Sequence, residues 1–174
     1  MQGIVSLLDE PHTQIIHDIW QELKTKCGIR GTQVPEFPHF SYHVAESYDE
    51  EPLRTLLKNI IAYQKTFKVK TAGLGIFNGG APVLFVPIVR DPALTILHQS
   101  ICPALSTTTN TSLSYYEPQS WMPHITLAQG DLTPQNLPDV IRLLNDRNFA
   151  WEIEINNLTL LSTEMIKARF DFDS

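Results

Sequence analysis

Residues 37–43 read FPHFSYH and residues 122–128 read MPHITLA. In both, Pro-His is followed by an apolar residue, a hydroxyl residue and another apolar or aromatic one. His39 and His124 stand 85 positions apart, about half of a 174-residue chain. Solenoid repeats usually run to about 20–50 residues, so a period this long points to one duplicated unit.

The flanking sequence repeats the same order. Residues 3–8, GIVSLL, suit a short buried strand. From about Pro11 an apolar stripe of Ile15, Ile19 and Leu23, with Ile16 and Trp20 beside it, predicts a helix. The glycines and prolines of CGIRGTQVPEFP mark a loop, and HFSYHVA is aromatic and β-branched enough for a strand. Asp49, Glu50 and Glu51 open a second helix, striped by Leu53, Leu56, Leu57, Ile60 and Ile61. FKVKTAGLGIF reads as one strand and FNGGAP as a turn. In the second half VLFVPIV is a strand, and Asp91-Pro92 caps a helix along Leu94, Leu97, Ile101 and Leu105. A polar loop leads into the second Pro-His strand. Thr133-Pro134 is expected to cap a further helix on Leu137, Val140, Ile141 and Leu144, before strands FAWEIEINNLTLL and IKARFDF. Each half is strand, helix, Pro-His strand, helix, strand. With no linker between them, residues 1–174 read as one pseudo-symmetric α/β or α+β domain of two lobes, about 1–80 and 81–174.

Composition limits the partners. The formal charge is −6 and Lys and Arg form no run, which argues against long-duplex binding, where phosphate contacts dominate affinity. A small phosphate ligand needs only a few donors. No apolar run nears the ~20 residues of a membrane helix, and no basic leader precedes an apolar stretch, so a cytoplasmic monomer is the expectation. Cys27 and Cys102 are then reduced thiols, and the sequons at Asn110 and Asn157 carry little meaning.

Side chains alternate along a strand, so His39 and Ser41 share one face, as do His124 and Thr126, each pair ~7 Å apart. A pseudo-twofold would bring the pairs together across a cleft. Two imidazoles with pKa values near ~6.5 can divide base and acid work on a phosphodiester while hydroxyls hold the non-bridging oxygens, and this needs no metal or cofactor. A zinc site at His39 and His43 is disfavoured, because i and i+4 lie ~13 Å apart on a strand.

WMPHITLA and PHFSYHV resemble the two His-x-Thr/Ser signatures of the two-histidine phosphoesterases, most closely the 2'-5' RNA ligase and cyclic phosphodiesterase family. That resemblance implies an α+β fold of two lobes, each a mainly antiparallel sheet with helices on its outer face and an active cleft between. It implies His39 and His124 as catalytic acid and base, in unassigned order, and Ser41 and Thr126 as phosphate ligands. It also implies a substrate that is a nucleotide or RNA terminus with a cyclic phosphate or 2'-5' linkage, with 2'-5' ligation as the reverse reaction. Ser41 stands where threonine is commoner and Tyr42 where an aliphatic residue is usual. His43, expected on the face of His39, either takes the catalytic place or lines the cleft.

Tyr115, Tyr116 and Trp121 either stack on a base or pack beneath the loop. Arg30, Lys70, Arg90 and Arg169 are the cations that could reach a phosphate, or are solvated surface. His12, His17 and His98 are expected at the surface or rim. Two other readings stand beside catalysis: a non-catalytic module holding an AMP-like nucleotide or RNA end, and a structural protein with incidental histidines.

Overall fold

In a computed structural model, residues 1–31, 35–105, 107–109, 111 and 113–173 are described. Asn110 and Ser112 of the first sequon lie outside that set. Strand β1 (Gln2–Leu7) leads into helix α1 (Glu10–Cys27). Asp9 caps α1 by accepting from the His12 N–H, and Gly28, at φ 72°, ends it in the left-handed region that glycine enters without strain. Strand β2 (His39–Ala45), helix α2 (Glu50–Ile61) and strands β3 (Phe67–Lys70), β4 (Gly75–Phe77) and β5 (Val83–Pro87) follow. Next come helix α3 (Pro92–Leu105), a 3-10 turn (Ser114–Tyr116), strand β6 (His124–Ala128), helix α4 (Leu137–Leu144) and strands β7 (Glu152–Ile155), β8 (Asn157–Ser162) and β9 (Ile166–Asp171).

Two stretches expected as single strands are each two. FKVKTAGLGIF breaks after Lys70, where Gly73 takes φ 69°, so β3 and β4 join different partners. FAWEIEINNLTLL breaks at Asn156 between β7 and β8. Helix α4 begins later than the expected Thr133-Pro134 cap. Thr133 and Asn136 instead exchange bonds, each backbone N–H donating to the other's side-chain oxygen, and this closed turn precedes Leu137. At α3 the expected cap is present, with Asp91 accepting from the Leu94 N–H at 2.8 Å.

The fold is α+β, and its named strands pair antiparallel. One sheet has the order β2-β1-β8-β9. The other strands form β3-β7 and β4-β5-β6, joined by a bridge between Thr71 and Ile88. The sheets therefore do not divide at residue 80, because β8 and β9 complete the sheet begun by β1 and β2. Local periodicity marks a strand but not its partner. Asn157 fastens this arrangement. Fully buried, it accepts from the Leu7 N–H and the Thr159 hydroxyl and donates to the Leu7 carbonyl, extending the β1–β8 ladder with a side chain. One apolar cluster spans the molecule, with Ile4, Phe40 and Leu158 in the same core as Leu84, Ile125 and Ile153.

The Pro-His strands share a local irregularity. Along β1, Val5 faces Ser41 and Ile4 faces His43, leaving Tyr42 as an extra residue. Along β5, Phe85 faces Thr126 and Leu84 faces Ala128, leaving Leu127 extra. Each bulge falls one residue after the hydroxyl of its motif. A bulge resets the alternation. In both strands the histidine and hydroxyl residue are half-buried, while the next two residues are buried together: Tyr42 with His43, and Leu127 with Ala128.

Candidate active site

Proline precedes each histidine, and the backbone uses it identically in both places. The Pro38 carbonyl accepts from the Leu8 N–H just past β1, and the Pro123 carbonyl from the Ile88 N–H just past β5. One residue earlier, the carbonyl turns to the imidazole. His39 Nδ1 lies 2.6 Å from the Phe37 oxygen and His124 Nδ1 lies 2.7 Å from the Met122 oxygen. A carbonyl only accepts, so Nδ1 carries the proton in both rings and Nε2 is the nitrogen left to titrate. Burial lowers the proton affinity of both histidines below the ordinary value of 6.5. The carbonyl bond partly opposes this in each, and the charge of His124 further lowers His39.

His39, Ser41, His124 and Thr126 line one cleft of about 200 Å³. The strands thus bring together the four residues that the repeated motif singled out. Trp20, Pro35, Tyr116 and Gln129 complete the lining. Burial pushes the Tyr116 pKa up to about 12, with the neighbouring Ser41 side chain partly opposing the rise, so the phenol keeps its proton. Trp121 ties the half-sites together, its indole N–H donating to the Ser41 carbonyl at 2.9 Å. A larger groove of about 450 Å³ continues from the cleft along Phe77, Val83, Tyr115, Trp121 and Met122, sharing Tyr116, His124 and Gln129. Phe77 and Phe85 flank the His124 ring, with centroids 5.1 and 4.9 Å away.

Several expectations are corrected. His43 is not on the cleft face with His39. The bulge at Tyr42 turns it inward, 4% exposed, where Nδ1 meets the Tyr48 hydroxyl at 2.8 Å. His98 is not at the rim. It is fully buried, stacked on Trp121 at 3.7 Å with 2° between the planes, and burial lowers its pKa to about 4. Of the two tyrosines, Tyr116 is in the cleft, whereas Tyr115 is 58% exposed and borders only the groove. None of the four candidate cations lines the cleft. Arg90 donates to the Trp121 and Pro118 carbonyls, bracing the loop. Arg169 bonds Asp171, while Arg30 and Lys70 are exposed side chains outside the lining.

Sequence reasoning missed Trp20, Pro35 and Gln129. Trp20 reads as one more member of an apolar stripe, and Gln129 lies one residue past its strand. Among the described residues no group of three or more His, Cys, Asp or Glu is arranged to hold a metal, and no helix is long and apolar enough to cross a membrane.

Two imidazoles with free Nε2 atoms and two hydroxyls around one small cleft form a set suited to moving protons on and off a tetrahedral anion. Residues 10–165 match the model of the 2'-5' RNA ligase superfamily, and the chain belongs to that family of two-histidine phosphoesterases. Its fold is similar to that of TT0787 of Thermus thermophilus, known from a crystal structure. The TM-score is 0.65 at 16% identity over 98% of this chain and 97% of that one. No curated protein matches the chain.

Proposed function

We propose that the protein is a phosphoesterase that cleaves a cyclic phosphodiester or a 2'-5' phosphodiester bond in a nucleotide or RNA end, with His39 and His124 as its acid–base pair. The matched pinning of both Nδ1 atoms carries this reading, because it leaves two equivalent Nε2 atoms on one cleft. In the forward step the neutral imidazole takes a proton from water as its oxygen bonds to phosphorus. The protonated imidazole delivers its proton to the leaving ribose oxygen as that P–O bond breaks. Ser41 and Thr126 donate to the non-bridging oxygens, which gain charge in the transition state. The reverse sequence joins a 2' oxygen to phosphorus, the ligase direction. The groove beside His124 is wide and apolar enough for a nucleobase. A cytoplasmic monomer remains the working expectation.

The test is turnover of 2',3'-cyclic nucleotides and short 2'-5'-linked oligonucleotides in EDTA. Loss of a general acid or base costs about 10²–10⁴-fold, so His39→Ala and His124→Ala should each fall by that order. Loss of turnover in the chelator, restored by a divalent metal, refutes the two-imidazole mechanism. Nucleotide binding without turnover in wild type favours a binding module.

A further inference from the structure

We infer, resting on the phosphodiester reading above, that Trp121 and His98 are positioning residues: as one stacked pair they hold the backbone of the first half-site in register with the second. Strand β2 is an edge of its sheet, with a neighbouring strand on one side only among the described residues. At its bulge, side chains take the place of a second neighbour. Consecutive carbonyls of a regular strand point to opposite edges, but the extra residue at Tyr42 breaks that alternation. The Ser41 carbonyl accepts from the Trp121 indole N–H at 2.9 Å, and the Tyr42 carbonyl lies 3.2 Å from His98 Nε2. A carbonyl only accepts, so Nε2 carries the His98 proton.

Both donors come from the second half of the chain. Trp121 stands three residues before His124, and His98 is on α3. The two rings are buried and face to face, 3.7 Å apart, so neither shifts without the other. The Tyr42 ring also stacks on Trp121, with centroids 5.7 Å apart. Arg90 anchors the pair from outside: it donates to the Trp121 carbonyl, and its guanidinium carbon lies 5.8 Å from the indole centroid. The arrangement leaves His98 Nδ1 buried with no partner, a cost that an apolar side chain would avoid. What the imidazole adds over an apolar side chain is its Nε2–H on the Tyr42 carbonyl. His39 and Ser41 belong to one sheet and His124 and Thr126 to another, so their spacing is set where the sheets meet. The Trp121 bond crosses that seam at Ser41 itself.

Trp121→Phe keeps an aromatic ring on His98 and removes the N–H. On a 2',3'-cyclic nucleotide its kcat should fall about ten- to a hundredfold, the scale of a displacement approaching ~1 Å. KM should stay nearly constant, whereas a lost contact with a base in the groove that Trp121 borders would raise KM. The loss should be small in a Ser41→Ala background and undiminished in a Thr126→Ala background. His98→Leu should lower kcat in the same way, and His98→Gln, whose side-chain amide can donate to the Tyr42 carbonyl, should recover most of it. If Trp121→Phe does not fold, benzothienylalanine at position 121, which puts sulfur in place of the N–H, makes the same comparison. An equal cost in the wild-type, Ser41→Ala and Thr126→Ala backgrounds, coupling to Thr126 as strong as to Ser41, or a change in KM alone overturns the inference while leaving the phosphodiesterase reading intact. Equal activity of His98→Leu and His98→Gln overturns the part assigned to His98. Absence of turnover by wild type overturns the phosphodiesterase reading and removes the inference with it.

Discussion

The juxtaposition of Tyr116 and Ser41 in the cleft lining gives a sharp test of how the first half-site works. Serine samples its side-chain rotamers more freely than β-branched threonine. Thr126 has that stiffness built in, whereas the Ser41 hydroxyl has only the neighbouring Tyr116 phenol to orient it. Tyr116→Phe keeps the ring against the cleft and removes only the hydroxyl that can bond Ser41. A neutral hydrogen bond contributes about 0.5–1.5 kcal/mol, so kcat on a 2',3'-cyclic nucleotide should fall about 2–12-fold, with KM nearly constant. Ser41→Ala removes the hydroxyl that the phenol positions. On that background Tyr116→Phe should cost almost nothing further, and Ser41→Thr should recover most of what Tyr116→Phe loses. Steady-state kinetics on the four proteins of the Tyr116/Ser41→Ala cycle, with the Ser41→Thr pair alongside, measures the coupling directly. If Tyr116→Phe costs as much without the Ser41 hydroxyl as with it, Tyr116 is not its positioning residue.

Four other outcomes are expected. His43→Ala should spare catalysis beyond a few-fold yet destabilise the fold by on the order of 1–3 kcal/mol, as it leaves the Tyr48 hydroxyl in a buried pocket; thermal unfolding beside turnover separates the effects. Asn157→Ala strands both Leu7 backbone groups and the Thr159 hydroxyl, and should cost about 3 kcal/mol in urea denaturation. A singly protonated pair with both proton affinities lowered places the kcat/KM optimum on the acid side of 6.5, and an optimum above about 7.5 contradicts that ordering. His98 binds its proton more weakly folded than unfolded, so its contribution is fully present above about 6.5 and is lost as pH falls toward about 4, on the order of 3 kcal/mol in all. His98→Gln should flatten that acid limb of the stability curve.

The duplicated motif was legible in sequence because the chemistry is local. Proline, histidine and hydroxyl occupy four consecutive positions, and strand alternation alone puts His39 with Ser41 and His124 with Thr126. The same alternation misplaced His43, because one extra residue at Tyr42 reverses the phase and nothing in SYHV marks the slip. The burial of His98 was hidden for another reason. Its partners, Trp121 and the Tyr42 carbonyl, come from distant segments, and a histidine on a helix carries no sign of what packs over it. Arg90 had the residue type of a phosphate ligand, but two loop carbonyls take its donors. The exchange of strands between sheets was also illegible, since pairing depends on the whole core.

The closure of the first sheet by β8 and β9 sets a timetable for synthesis. Strand β1 is among the first segments to leave the ribosome, yet the partner on its far side arrives about 150 residues later. At about 5–20 residues per second the wait lasts on the order of ten seconds or more. During that time α1 and β2 hold apolar faces whose cover has not been made. Both Pro-His strands meet their own partner, β1 or β5, within some 40 residues of chain, but the β4-β5-β6 sheet needs no later strand. The two half-sites, alike in their finished geometry, are thus assembled on different clocks, and the older one in the chain is the last to be secured.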